Sequence, residues 1–114
     1  MANAWEVPGG QFSLDAKEET SYRRFIKVNT DGQAEVATSA SDPIVGISYT
    51  DAPAGTPISI IGSGIAMAEA AEEITAGDFV IAGTEGKVAA SNSATAFIAL
   101  TSAAAGDLVT VKIG

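Results

Sequence analysis

Four constellations in this 114-residue chain have residue types that could do chemistry, and each fails on spacing or geometry. Glu18-Glu19 and Glu72-Glu73 offer the paired carboxylates of glycoside hydrolysis. Adjacent side chains diverge on a strand or a helix, so neither pair shares a site, and both read as solvated edges preceding a strand. Gly62-Ser63-Gly64-Ile65-Ala66-Met67 imitates a dinucleotide-binding turn, but Met67 stands where a third glycine must let helix and strand approach. Its glycines read as strand-end or bulge positions. Gly83-Thr84-Glu85-Gly86-Lys87 has the flavour of a phosphate loop, yet two residues rather than four separate its glycines, and Val88 replaces the metal-binding hydroxyl. A hairpin turn accounts for it. Arg23-Arg24 is the one adjacent basic pair. On a strand its side chains face opposite ways, leaving either two exposed arginines or one held in an ion pair or interface.

What is missing narrows the choice further. Cysteine and histidine are both absent, which removes disulfides, the usual zinc sites, thiol nucleophiles and every histidine-based triad. No Asp-x-Asp-x-Asp-Gly calcium loop is present either. The expectation is a protein that is not an enzyme and uses no cofactor or metal.

The net charge of −8 is uneven. Residues 1–28 balance four acids against four bases, so residues 29–114 carry ten acids against Lys87 and Lys112. An acidic body repels phosphates, which argues against nucleic acid as partner. No run of 18 apolar residues is present, so no membrane span is expected, and Met-Ala-Asn-Ala-Trp-Glu lacks the basic start and apolar core of a signal peptide. Synthesis and use, or assembly, in the cytoplasm are the corresponding expectation.

The elements that would position any site come in two copies. Residues 18–62 and 72–114 overlay with three residues of net gap. Glu18-Glu19, Phe25-Ile26 and Thr30-Asp31-Gly32 fall on Glu72-Glu73, Phe79-Val80 and Thr84-Glu85-Gly86. After a small deletion, Ile44-Val45-Gly46-Ile47-Ser48 falls on Phe97-Ile98-Ala99-Leu100-Thr101, and Ala52-Pro53-Ala54-Gly55 on Ala103-Ala104-Ala105-Gly106. Turn glycines and apolar alternation are shared, and reactive side chains are not, which points to a structural or binding role.

Strands are expected over 22–28, 33–38, 44–50, 56–61, 79–82, 87–90, 95–101 and 108–113. Residues 64–69 read as a further strand followed by a turn near 70–75, although 66–73 has helix propensity. The fold class is mainly β: a small barrel or sandwich of two pseudo-repeated halves forming one domain over 15–114, preceded by an extended N-terminal arm over 1–14. That arm holds Trp5, Val7, Phe12 and Leu14, and reads either as a strap over the protein's own core or as a docking arm.

The run Ile74-Thr75-Ala76-Gly77-Asp78-Phe79-Val80, then Gly86-Lys87-Val88, Ile98-Ala99-Leu100 and finally Ala103-Ala104-Ala105-Gly106-Asp107-Leu108-Val109-Thr110-Val111 resembles the head decoration, or capsid cement, proteins of tailed phages. The first half is a degraded copy, with Tyr22-Arg23-Arg24 replacing the family's Ala-Gly-Asp step, which makes those three residues a candidate contact surface. The resemblance covers about 18–114. It implies a β-rich structural protein, often trimeric, on the exterior of the virion capsid. There it would clamp neighbouring major capsid subunits and stabilise the head. Trp5, Val7, Phe12, Leu14, Tyr22, Arg23 and Arg24 are the candidate capsid or subunit interface. The other reading is a β-rich adhesive module that binds glycan or a host surface.

Overall fold

A computed structural model describes residues 4–39 and 41–113, which form an elongated body of 37 × 24 × 23 Å. The described residues form eleven strands: β1 (Val7–Pro8), β2 (Gln11–Asp15), β3 (Phe25–Val28), β4 (Ala34–Val36), β5 (Ile44–Ser48), β6 (Pro57–Ile61), β7 (Gly64–Glu69), β8 (Phe79–Ala82), β9 (Val88–Ala90), β10 (Phe97–Ala99) and β11 (Leu108–Lys112). A 3-10 turn, Thr84–Gly86, joins β8 to β9.

The strands make two sheets, ordered β2-β6-β5-β3-β4 and β1-β7-β11-β10-β8-β9. With β1 set aside, the second order is the first repeated strand for strand. Each sheet curls until its ends meet. Ala16, just after β2, bridges Ala34 in parallel, and Ala70, just after β7, bridges Val88. Thr20 with Ala52 and Ile74 with Ala103 form matching antiparallel bridges. Two small, similar barrels result, in agreement with the mainly β expectation.

The backbone corrects the alignment of the halves. An offset of 54 holds through β4, but from β5 onward it is 51. Phe25 pairs with Ile47 as Phe79 pairs with Ile98, and Ser48 pairs with Ile60 as Ala99 pairs with Val111. All three extra residues of the first half thus lie between β4 and Gly46, and the register shift at Ile26 and Lys27, which pair with Gly46 and Ile44, takes up one of them as a bulge. Gly46 corresponds to Phe97, not to Ala99. A Cβ there would overlap the Ile61 carbonyl oxygen, so the spacing of β5 and β6 requires glycine.

The repeat also reaches further back than the sequence shows. β2 is the counterpart of β7, with Phe12 and Leu14 at the positions of Ala66 and Ala68. Residues 11–14, read as part of an arm, therefore belong to a wall of the first barrel, and the arm read over 1–14 is corrected to the residues before β2. Residues 1–3 of that arm lie outside the described residues.

Ile26, Ile58 and Ile60, with Leu14 and Val45 packed against them, fill the first barrel. The larger core combines the second barrel's interior (Val80, Val88, Val109, Val111) with Phe25, Ile47 and Ile61 from the outer face of the first. Phe25 and Phe97 meet there with ring centroids 5.1 Å apart. This explains an asymmetry between the copies. Ile60 and Ile61 are both fully buried, one inside the barrel and one between barrels, whereas Val111 is buried and its neighbour Lys112 is exposed.

Candidate functional site

The residues read as an interface fall into two groups. Trp5, Val7, Phe12 and Tyr22 are exposed. Leu14 packs into the first core, and Arg23 and Arg24 are engaged in ion pairs within the chain. For the arginine pair, two exposed side chains are replaced by two held ones.

Arg23 organises the N-terminal segment. It has φ of 65°, at the position occupied in the second half by Gly77, φ 95°. The conformation is enforced on both sides, because Arg23 N–H donates to Ser48 O at 2.8 Å and Arg23 O accepts from Glu69 N–H at 3.2 Å. The side chain runs between the rings of Tyr22 and Tyr49, with Cζ 5.3 and 5.5 Å from their centroids. Its Nη1 meets Glu6 Oε1 at 2.6 Å, both side chains being 14% exposed. The same oxygen accepts from Met67 N–H at 3.2 Å. Among the described residues Arg23 Nε is buried without a hydrogen-bond partner.

Thr110 supplies a second tie. Its buried hydroxyl accepts from Trp5 N–H at 2.7 Å and donates to Trp5 O at 2.8 Å. Glu6, β1 and Arg23 O together cover the outer edge of β7: Val7 pairs with Ile65, Gly9 N–H donates to Ser63 O, Glu6 caps Met67 N–H and Arg23 O takes Glu69 N–H. Gly64 permits the approach, since a Cβ there would lie 2.7 Å from Val7 O. Residues 5–8 are thus a strap on the chain's own second barrel, one of the two readings of the sequence.

Around the strap lies a surface with exposed aromatic and apolar groups. Trp5 is 45% exposed, Tyr22 47%, Tyr49 38% and Leu108 40%. Leu108 lines both the groove that carries Ala4 and Met67 and the smaller one that carries Tyr22, Asp51 and Glu69. Tyr49 and Leu108 were not singled out in the sequence. Leu108 was findable, because alternation that buries Val109 and Val111 turns it outward. Phe12 belongs elsewhere, against Gly62 on the first barrel, where a Cβ would lie 2.7 Å from its Cε1.

Beneath this surface Arg24 Nη1 and Lys87 Nζ meet the two oxygens of Glu69 at 3.1 and 3.2 Å, joining the halves. Partial burial pushes the Glu69 carboxyl up, but the Lys87 hydrogen bond and the charges of Arg24 and Lys87 outweigh it and hold it below the ordinary carboxylate value. Among the described residues no cluster of three or more His, Cys, Asp or Glu side chains could hold a metal, and no helix is long and apolar enough to cross a membrane. The arrangement offers surfaces and ties between segments.

The sequence matches the family described as phage cement protein over residues 9–114. In structure it is similar to the N base of the head fiber gp8.5 of bacteriophage phi29, with a TM-score of 0.77 and 20% identity, covering 92% of this chain and 93% of that one. No curated protein sequence matches.

Proposed function

This chain belongs to the phage cement protein family, and from that premise we propose that it binds the outer surface of an assembled phage capsid and clamps neighbouring major capsid subunits. The family match over residues 9–114 carries the reading. It is supported by the exposed Trp5, Tyr22, Tyr49 and Leu108, residue types that supply anchors at interfaces when ringed by polar groups. A clamp needs no catalysis. A pressurised head pulls its subunits apart, and buried area shared between two subunits opposes that. Three copies joined as a trimer would add effective concentration at a three-fold position. The acidic remainder, facing solvent, keeps free copies from associating nonspecifically.

Co-sedimentation with purified heads that lack this protein tests the reading. Wild type is expected to saturate them, and Trp5→Ala with Tyr22→Ala to weaken binding by at least about tenfold. Because residues 11–14 are part of a barrel, point substitutions are the suitable probe. Absence of binding by the wild-type chain defeats the proposal. The exposed aromatic residues also suit an adhesive module binding glycan. Glycan-array hits with no binding to heads would favour that reading.

A further inference from the structure

The duplication supplies an internal comparison for every strand edge, and one pair of edges does not match. On β7 the even-numbered residues bond to β11, as Ile113 N–H to Gly64 O and Ala70 N–H to Asp107 O show. The main-chain groups of Ile65, Met67 and Glu69 point the other way, and they are met by Val7, the Glu6 carboxylate and Arg23 O. On β2 the same parity holds: Gly62 N–H donates to Gly10 O and Ala16 N–H to Thr56 O, so Phe12 and Leu14 bond to β6. The counterparts of Ile65 and Met67 are Gln11 and Ser13. Among the described residues no strand lies beside them on the outer side, β2 being the end of its sheet, and both residues are exposed.

We propose that this uncovered edge of β2 receives an extended segment of the capsid protein as an added antiparallel strand, pairing with the main chain of Gln11 and Ser13 as β1 pairs with β7. The proposal rests on the reading that the protein binds capsids. Strand addition supplies affinity through main-chain bonds, and alternate side chains supply selection. Here the alternation is explicit. Phe12, half-exposed against Gly62, offers an apolar neighbour to the incoming residues on its own face of the sheet. Asp15, with Glu18 and Glu19 following, offers negative charge at the far end. The fitting segment therefore alternates apolar and polar residues, lacks proline at the pairing positions and carries Lys or Arg opposite Asp15. A second copy of this chain is the poorer occupant, since each copy carries a net charge of −8.

Amide hydrogen exchange on the wild-type chain, free and bound to heads, tests this without any substitution. In the free chain Gln11 and Ser13 should exchange rapidly while Ile65 and Met67 are slow. On heads Gln11 and Ser13 should slow by at least about tenfold. Ser13→Pro removes an outward N–H while keeping the bonds of Phe12 and Leu14 to β6. With folding verified by thermal unfolding, it should weaken binding by about tenfold or more. Heads saturated with Gln11 and Ser13 still exchanging rapidly would overturn the strand addition and leave the capsid reading standing. Protection that grows with the concentration of free protein would assign the edge to a second copy instead. A wild-type chain that does not bind heads sinks both.

Discussion

Arg23 and Gly77 occupy equivalent places in the two halves, both in the left-handed region, with φ of 65° and 95°. The second half uses the residue that adopts this conformation freely. The first uses one that holds it at a cost of about 1–2 kcal/mol. What offsets the cost is the side chain, which reaches Glu6 and fixes the strap across β7. Three variants separate the two contributions. Arg23→Ala keeps the strained backbone and loses the ion pair, and should be the least stable, by about 2–3 kcal/mol. Arg23→Gly also loses the pair but relaxes the backbone, and should recover about 1 kcal/mol of that loss. Arg23→Lys should lie nearest wild type. Urea unfolding gives the order, and Arg23→Gly no more stable than Arg23→Ala would show that the backbone carries no strain.

Thr110 makes a different prediction, about the strap rather than the whole fold. Its hydroxyl satisfies both main-chain groups of Trp5 from a fully buried position. Thr110→Val keeps the shape and removes both bonds, so global stability should fall by about 1–2 kcal/mol. Residues 4–8 should then become the first site of proteolytic cleavage, and the amides of Ile65 and Met67 should exchange faster than in wild type. Unchanged exchange at those two amides would show that Glu6 and Arg23 hold the strap alone.

The extent to which the sequence disclosed this arrangement follows from what each residue must satisfy. Turn positions were readable because Gly32, Gly55, Gly86 and Gly106 all require positive φ, and backbone need leaves a residue-type trace. β2 escaped because its counterpart β7 fills the inward positions with Ala66 and Ala68 where β2 has Phe12 and Leu14, so the two strands share geometry and almost no side-chain character. The docking of the barrels left only one local trace, the consecutive Ile60-Ile61 against Val111-Lys112. Arg23 was visible as a departure from the glycine step, but its partner Glu6 was not, since a long-range ion pair has no spacing rule.

Glu69 makes stability depend on pH. Its carboxyl sits below the ordinary value of 4.5 in the folded chain because Lys87 and Arg24 outweigh its partial burial. A depressed carboxylate contributes stability that is complete above the unfolded value and lost as pH falls through the folded one. Urea midpoints should therefore hold steady from neutral pH down to about 5 as far as this group is concerned, and decline below it. Glu69→Gln should lower stability at pH 7 by about 0.5–1 kcal/mol, because the pair is partly solvated, and should flatten the acid limb. Equal acid slopes in the two proteins would assign the decline to other carboxylates.

Gly46 is the position where the two halves diverge most in size, since its structural counterpart is Phe97. A methyl group there would overlap Ile61 O and lie 2.8 Å from Ile60 Cγ2, and neither can retreat, because Ile60 and Ile61 are fully buried on opposite faces of β6. Gly46→Ala should therefore force β5 away from β6 and cost about 3 kcal/mol or more, enough to reduce soluble yield sharply. Gly106→Ala is the matched control. It also has positive φ, 88°, but nothing lies within 4 Å of its added Cβ, so only the backbone term of about 1 kcal/mol applies. If the two variants melt at the same temperature, steric contact at β6 is not what selects glycine at position 46.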